Sequence, residues 1–288
     1  MSQAATPPSP PSRKARGLSV ARTLRRIAWR DGGAQQGIRT IPEETPVALT
    51  YNRAALAVML ATAADLEDFA LGFSLTEGII ERPEQLEELE IVPTGDGVEL
   101  RMWLAEERVA VAEARRRRLA GPSGCGLCGI ESLADAVRVP PPVTDGIRFA
   151  GGDVAAAMAA LPAAQRLNQA THAVHAAALW IPSRGLVAIR EDVGRHNALD
   201  KLAGALARQT LSASAGLVLL SSRFSVELVQ KAAMIGAPVV AAVSAPTALA
   251  VRIAEAAGIT LIGVTRQDGF EVFTRPERID TGRAQHVA

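Results

Sequence analysis

Three apolar runs near the end of the sequence are each followed by a polar segment. They are Leu217-Val218-Leu219-Leu220 before Ser221-Ser222-Arg223, Pro238-Val239-Val240-Ala241-Ala242-Val243 before Ser244-Ala245-Pro246-Thr247, and Ile259-Thr260-Leu261-Ile262-Gly263-Val264 before Thr265-Arg266-Gln267-Asp268-Gly269. Runs this short, bounded by breakers, read as buried strands. Ser225 to Ile235 reads as a helix between the first two, and Thr247 can cap a helix reaching Ala257 between the second and third. Strand–helix–strand–helix–strand order predicts right-handed crossovers and parallel strands. All three polar segments then fall at one sheet edge, where helix N-termini converge and ligands bind in open α/β sheets.

Upstream, Ala173 to Ile181 and Gly185 to Arg190 read as a hairpin around Pro182-Ser183-Arg184, and His196 to Arg208 as a helix. The expectation is a mixed α/β sheet with helices on both faces. A smaller N-terminal α+β part precedes it. Pro46 to Tyr51 and Ala54 to Leu60 read as strands around Asn52-Arg53, and Asp65 as the N-cap of a helix over Leu66 to Leu75 that Gly78 stops. Strands follow at Leu89 to Val92 and Val98 to Leu104, while residues 18–45 read as polar and irregular. The expected organisation is a disordered tail over 1–17, the α+β part over 18–120, a mobile cysteine loop and linker over 121–145, the α/β ligand-binding part over 146–276, and a C-terminal tail over 277–288.

The chain has 288 residues, 48% hydrophobic, and a formal charge of +1, enough for a sizeable core but with no global drive toward nucleic acid or an anionic membrane. With 6 Phe, 3 Trp and 1 Tyr, a base-stacking surface is not expected. No apolar run of about 18 residues predicts a membrane span. The opening residues, with Thr6-Pro7-Pro8-Ser9-Pro10-Pro11 before Arg13, Lys14 and Arg16, have no apolar segment of the secretory kind. Two cysteines do not make a disulfide framework, so a cytoplasmic protein is expected.

At the predicted edge, hydroxyls of Ser222, Ser244 and Thr247 and the guanidinium forks of Arg223 and Arg266 suit phosphate oxygens. Taken singly, each hydroxyl reads as a helix cap; three such segments together favour an anionic, phosphate-bearing ligand. Glu191-Asp192-Val193-Gly194-Arg195-His196-Asn197-Ala198-Leu199-Asp200-Lys201 packs seven polar residues at a strand-to-helix turn. Asp192 could cap that helix while Arg195 and His196 face the ligand. Arg115 to Arg118 read as a solvated helix end.

Gly121-Pro122-Ser123-Gly124-Cys125-Gly126-Leu127-Cys128-Gly129 has five Gly or Pro in nine residues and reads as a loop. Zinc would need two more ligands, which His172 and His175 could supply, although 43 residues separate Cys128 from His172, unlike a finger. A thioredoxin-type dithiol wants a rigid helix start, which the glycines oppose. A flexible arm suits a thiol that visits two places, so a carrier or redox thiol ranks above zinc, and zinc above an inert pair.

Several blocks resemble the formate dehydrogenase accessory sulfurtransferase family, FdhD: Ser123 to Gly129, Glu191 to Lys201, Ser221 to Ser225, Ser244 to Thr247, and Leu66 to Phe73 with Thr76 to Ile80. The resemblance runs from about Pro46 to Pro276. It implies a cytidine-deaminase-like fold, without the His-X-Glu and Pro-Cys-X-X-Cys pattern that zinc deaminases need. It also implies a homodimer that passes sulfur from a cysteine desulfurase to the bis(guanine dinucleotide) molybdenum cofactor before that cofactor enters formate dehydrogenase. Cys125 would hold the persulfide, supported by Cys128, and Val264, Thr265, Arg266, Gln267, Asp268 and Gly269 match the family's cofactor-binding stretch. Thr171-His172-Ala173-Val174-His175 departs from the family's Thr-Gly-Gly-X-His pattern, and Val264 stands where an aromatic is common.

Overall fold

The computed structural model describes residues 18–118, 139–144, 146–266 and 268–282. In chain order the strands β1 (Ala21–Arg30) and β2 (Gly33–Pro42) pair antiparallel. Next come β3 (Thr45–Tyr51), β4 (Ala54–Ala61), α1 (Leu66–Thr76), β5 (Leu86–Pro93), β6 (Val98–Leu104) and α2 (Glu106–Arg118). The α/β part contains β7 (Phe149–Ala150), α3 (Gly151–Ala164), α4 (Arg166–Thr171), β8 (His175–Ile181), β9 (Gly185–Asp192) and α5 (Arg195–Arg208). It continues through β10 (Leu217–Leu220), α6 (Val226–Met234), β11 (Val239–Ala242), α7 (Ala248–Ala256), β12 (Thr260–Arg266), β13 (Gly269–Val272) and β14 (Ile279–Asp280).

The main sheet has the order β13-β12-β11-β10-β8-β9, with β10, β11 and β12 parallel and the outer pairs antiparallel. Period-two alternation divides its residues between two cores. Val218, Leu220, Val240 and Ala242 pack under α5, α6 and α7, with Leu199, Leu202, Leu228 and Ile253. Leu217, Leu219, Val239 and Ala241 face the other way, onto Val154, Ala157 and Leu161 of α3. Each fully buried Leu or Val contributes about 1.5–3 kcal/mol, so two-sided burial explains why these runs lack polar residues. The mixed sheet with helices on both faces is as the sequence predicts.

A second sheet, β4-β3-β6-β5, packs Val47, Leu49, Val98, Leu100 and Met102 against Phe69 and Phe73 of α1. Helix α1 then lies across α5. A Cβ at Gly72 would stand 1.7 Å from the Asp200 carbonyl oxygen, and one at Gly204 would stand 1.9 Å from that of Asp68. Only glycine permits this approach, and it joins the two parts backbone to backbone. Residues 279–280, within the expected C-terminal tail, pair as β14 in parallel with β7.

Four local readings need correction. Residues 21–42 are a regular hairpin, hidden from a hydropathy reading because most of its side chains are exposed. Asp65 stands at the N-cap position of α1 in a left-handed conformation (φ 52) and makes no side-chain cap bond. Helix α6 begins at Val226, with Ser225 before it. The third polar segment leads into no helix: β12 runs on to Arg266, is irregular between Gly263 and Arg266, and turns back as β13. The helix stop near Gly78 (φ 69) and the Thr247 cap, whose Oγ1 accepts the Ala250 N–H at 3.2 Å, are as predicted.

Candidate functional site

Parallel pairing of β10, β11 and β12 brings the three polar segments to one edge. Backbone bonds tie them together. The Val243 N–H donates to the Leu220 carbonyl (3.1 Å), Thr247 N–H to that of Phe224 (3.1 Å), and Val264 N–H to that of Ser244 (3.4 Å). Because β8 is antiparallel to β10, His175 starts at this edge; Ser221 secures it, accepting the Ala176 N–H at 2.8 Å. The turn from β9 into α5 delivers Arg195 and His196 to the same place.

Several hydroxyls here are committed locally. Ser222, buried, donates to the Arg223 carbonyl at 2.9 Å, Thr265 to that of Ala242 at 3.1 Å, and Thr247 caps α7. Ser244 is half-buried, whereas Arg223, Arg266, Asp268 and Gly269 are exposed. One terminal nitrogen of Arg266 donates to the carbonyls of Val243 (2.7 Å) and Thr265 (2.9 Å), which pins its guanidinium against the edge. Val264 has φ 52, an outlier for a β-branched residue and a source of local strain. Cys125, Cys128 and Gln267 lie outside the described residues.

Asp192 does not cap α5. It is fully buried and holds the turn from beneath. Its Oδ1 accepts the Gly194 N–H (2.8 Å) and Asn197 Nδ2 (3.0 Å); its Oδ2 accepts the Thr62 N–H (2.9 Å) and Lys201 Nζ (2.6 Å). Lys201, also fully buried, donates a second bond to the Thr62 carbonyl at 2.8 Å. The position of Arg195 and His196 is thus fixed from both parts of the chain.

A second buried cluster lies alongside. Lys231 on α6 donates to Glu77 (2.7 Å), Asp200 (2.8 Å) and Thr76 (3.0 Å), and Thr76 donates to Asp200 at 2.6 Å. Arg115 pairs with Glu77, so the first of the four arginines turns inward instead of belonging to a solvated end. Burial alone would raise the Glu77 carboxyl, but Lys231 and Arg115 outweigh it and hold it at about 2. Burial raises Asp200 against the pull of Lys231. Burial also works against the Lys231 charge, but Asp200 and Glu77 prevail and raise its pKa.

His196 sits beside this cluster, and burial, with Lys231 and Arg195, lowers it to about 4. Burial and Arg195 also lower His175. A neutral His196 leaves its Nε2 4.0 Å from Glu227 Oε2, and neither atom has a hydrogen-bond partner among the described residues. Arg195 Nε and the Ser225 hydroxyl, both buried, are likewise unpartnered. All four belong to the first turns of α5 and α6 or the residue before them. Buried polar atoms are rarely left unpaired, so this pattern marks where a polar ligand would complete the bonding.

Among the described residues no group of three or more His, Cys, Asp or Glu is placed to hold a metal ion. His172, at φ 55, ends α4 and is exposed. No helix among these residues is long and apolar enough to cross a membrane.

Fold and site together define an α/β protein with a polar, arginine-bearing edge at the ends of its parallel strands. The chain belongs to the FdhD/NarQ family, which it matches over residues 42–280. It is 51% identical over 267 residues to the sulfur carrier protein FdhD of Agrobacterium fabrum, covering 91% of this chain and 98% of that one. It is also 51% identical over 252 residues to the protein of that name from Cupriavidus necator, covering 87% of each. The crystal structure of a chain assigned as a formate dehydrogenase accessory protein, from Desulfotalea psychrophila, superposes with a TM-score of 0.72 at 26% identity, covering 91% of this chain and all of that one.

Sequence reasoning passed over Thr62, Glu227 and Lys231. Glu227 and Lys231 are four apart on α6, a spacing that reads as an exposed helix pair; both side chains instead turn toward α5 and α1.

Proposed function

We propose that this protein is a sulfur carrier for formate dehydrogenase, a carrier-type sulfurtransferase acting in the cytoplasm, where thiols stay reduced. The observation that carries the reading is the polar edge with four unpartnered buried atoms at the first turns of α5 and α6. The relatives' names point the same way.

In this reading a Cys125 thiolate attacks the outer sulfur of a cysteine desulfurase persulfide. A new S–S bond forms on Cys125, the donor's S–S bond breaks, and the donor cysteine leaves as thiolate. Attack by Cys128 on Cys125 Sγ would then release the outer sulfur as hydrosulfide and leave a Cys125–Cys128 disulfide. The two electrons come from the thiol pair, and a cellular thiol restores it. The receiving substrate is the bis(guanine dinucleotide) molybdenum cofactor. Its phosphates suit Arg223, Arg266, Ser244 and the N-termini of α6 and α7, while Ser222, its proton given to the Arg223 carbonyl, shapes the first loop. Val264, Thr265, Gln267, Asp268 and Gly269 would border it, and Thr247 shapes the loop beside it. Neutral His196 and Arg195 would supply hydrogen bonds.

The test is intact mass spectrometry after incubation with an active cysteine desulfurase and cysteine. Wild type should gain sulfur, and Cys125→Ala should not. Failure of wild type to gain sulfur would overturn the carrier role in favour of a cofactor-binding chaperone.

A further inference from the structure

Strand β9 ends the main sheet and pairs only with β8. Alternation fixes which of its backbone groups face outward. Ala176 turns its own N–H and carbonyl toward β10, where both bond Ser221. His175 and Ala177 therefore turn theirs toward β9, where they stand opposite Asp192 and Arg190. Ile189 and Glu191, which alternate with those two, direct their backbone groups away from the sheet. Arg190 agrees with this, its Nη1 donating to the Ile189 carbonyl at 2.7 Å. The Ile189 N–H and both backbone groups of Glu191 have no partner among the described residues.

This free edge is the floor of a cleft of about 560 Å³, within the size range of ligand clefts. Its two walls lie on opposite faces of β9, because successive side chains point to opposite faces. Glu191 reaches one wall, where its carboxylate accepts the N–H groups of Leu167 and Asn168 at 2.8 Å each. Arg190 reaches the other, where it donates to Asp68 at 2.7 Å. Ala163 and Arg166 line the first wall, Ala64 and Asp65 the second. Two charges here are uncommitted. Arg166 is exposed and forms no ion pair among the described residues. Asp65 makes no cap bond and stands 3.6 Å from an Arg190 guanidinium that Asp68 already holds at 2.6 Å.

We infer that an extended segment of formate dehydrogenase adds to β9 as one more strand, seated between these walls. Unpaired strand backbone is matched by extended backbone, which makes an exposed edge a template for a further chain. Side chains of the added strand alternate between the walls. Those facing α4 are apolar with an acidic group at Arg166, and those facing α1 include a basic group at Asp65. Position selects the source of the segment. Thr62 lines the cleft and also donates to Asp192, so the cleft adjoins the turn that carries Arg195 and His196. An enzyme that takes cargo from that edge docks beside it. The inference rests on formate dehydrogenase being the client and does not depend on sulfur transfer.

Hydrogen exchange read at single residues of the full chain, alone and with cofactor-free formate dehydrogenase, tests it. The amides of Ile189 and Glu191 should exchange about 10-fold or more slowly in the complex. Ala163→Trp, which fills the cleft from its exposed rim, should weaken the complex by roughly 10-fold or more in calorimetry. Arg166→Gln and Asp65→Asn should each weaken it by roughly 2- to 5-fold, asparagine being compatible with the left-handed backbone at that position. All three should keep the wild-type circular dichroism spectrum. Sulfur gain by Ala163→Trp should match wild type, so failure of docking and failure of the carrier role are read separately. No binding by the enzyme, unchanged exchange at Ile189 and Glu191 in the complex, protection of those amides by the cysteine desulfurase instead, or full affinity of Ala163→Trp would each overturn the inference.

Discussion

Gly72 on α1 and Gly204 on α5 meet where the helices cross, and a Cβ on Gly72 would lie 2.6 Å from the Gly204 amide nitrogen. The obstacle is backbone on both sides, so no rotamer relieves it. Gly72→Ala should destabilise the protein by about 3 kcal/mol or more, at the upper end of overpacking costs. Urea denaturation measures this, with Gly95→Ala, where a Cβ meets nothing within 4 Å, as a near-neutral control.

Removing Lys201 strands the buried Asp192 carboxylate. Lys201→Met should cost about 3–5 kcal/mol, as for other broken buried pairs. The same denaturation series with Asp192→Leu/Lys201→Met should recover part of that loss. Equal losses in single and double variants would show that the ion pair is not what holds the β9–α5 turn.

The acid limb of stability has His196, His175 and Glu77 contributing with the same sign, each held below its ordinary range. His196 titrates at about 4 when folded, below the ordinary histidine range near 6.5. Between those values the unfolded chain binds a proton that the folded chain refuses, so stability falls as pH drops from about 6.5 to about 4. Glu77, held at about 2, adds stability that is lost below the ordinary glutamate range. Asp200, raised by burial, acts in the opposite sense and softens the lower end. Unfolding free energies across pH 4–7 should show this slope, and His196→Gln should flatten its upper half. An unchanged slope in that variant would refute the assignment.

Val264 occupies a left-handed conformation that costs a β-branched residue about 1–2 kcal/mol. Val264→Gly should therefore raise the thermal midpoint despite the lost side chain, measured by calorimetry. A lowered midpoint would mean that the half-buried Val264 side chain contributes more than the backbone strain.

Much of the α/β part was legible because its strands are buried on both faces and its helices separate them, so apolar runs and breakers carried the topology. Phe69 and Phe73 likewise revealed α1 by helical spacing. The β1–β2 hairpin was not legible, since Arg25, Arg26 and Arg30 flank a short Ile27-Ala28-Trp29 group and most of its side chains are exposed, so burial leaves little pattern on them. At the site, loop chemistry located Ser222, Arg223, Ser244 and Arg266 on one edge. The positions of Lys201, Lys231 and Glu227 depended on how α1 crosses α5 and α6, a packing relationship that residue spacing within one helix does not encode. Asp192 was noticed for the wrong task, because an acid before a helix reads as a cap whether it points up to the amides or down into the core.

Asp192 has one further consequence. Its two oxygens grip the first turn of α5 on one side and Thr62, the residue following β4, on the other. Whatever tightens the turn that bears Arg195 and His196 therefore also pulls on Thr62, at the end of β4 in the four-stranded sheet. If occupancy of the edge changes how firmly the two parts of the chain hold together, their hold must change affinity at the edge by the same factor. Binding and stability would then report on each other through a single carboxylate.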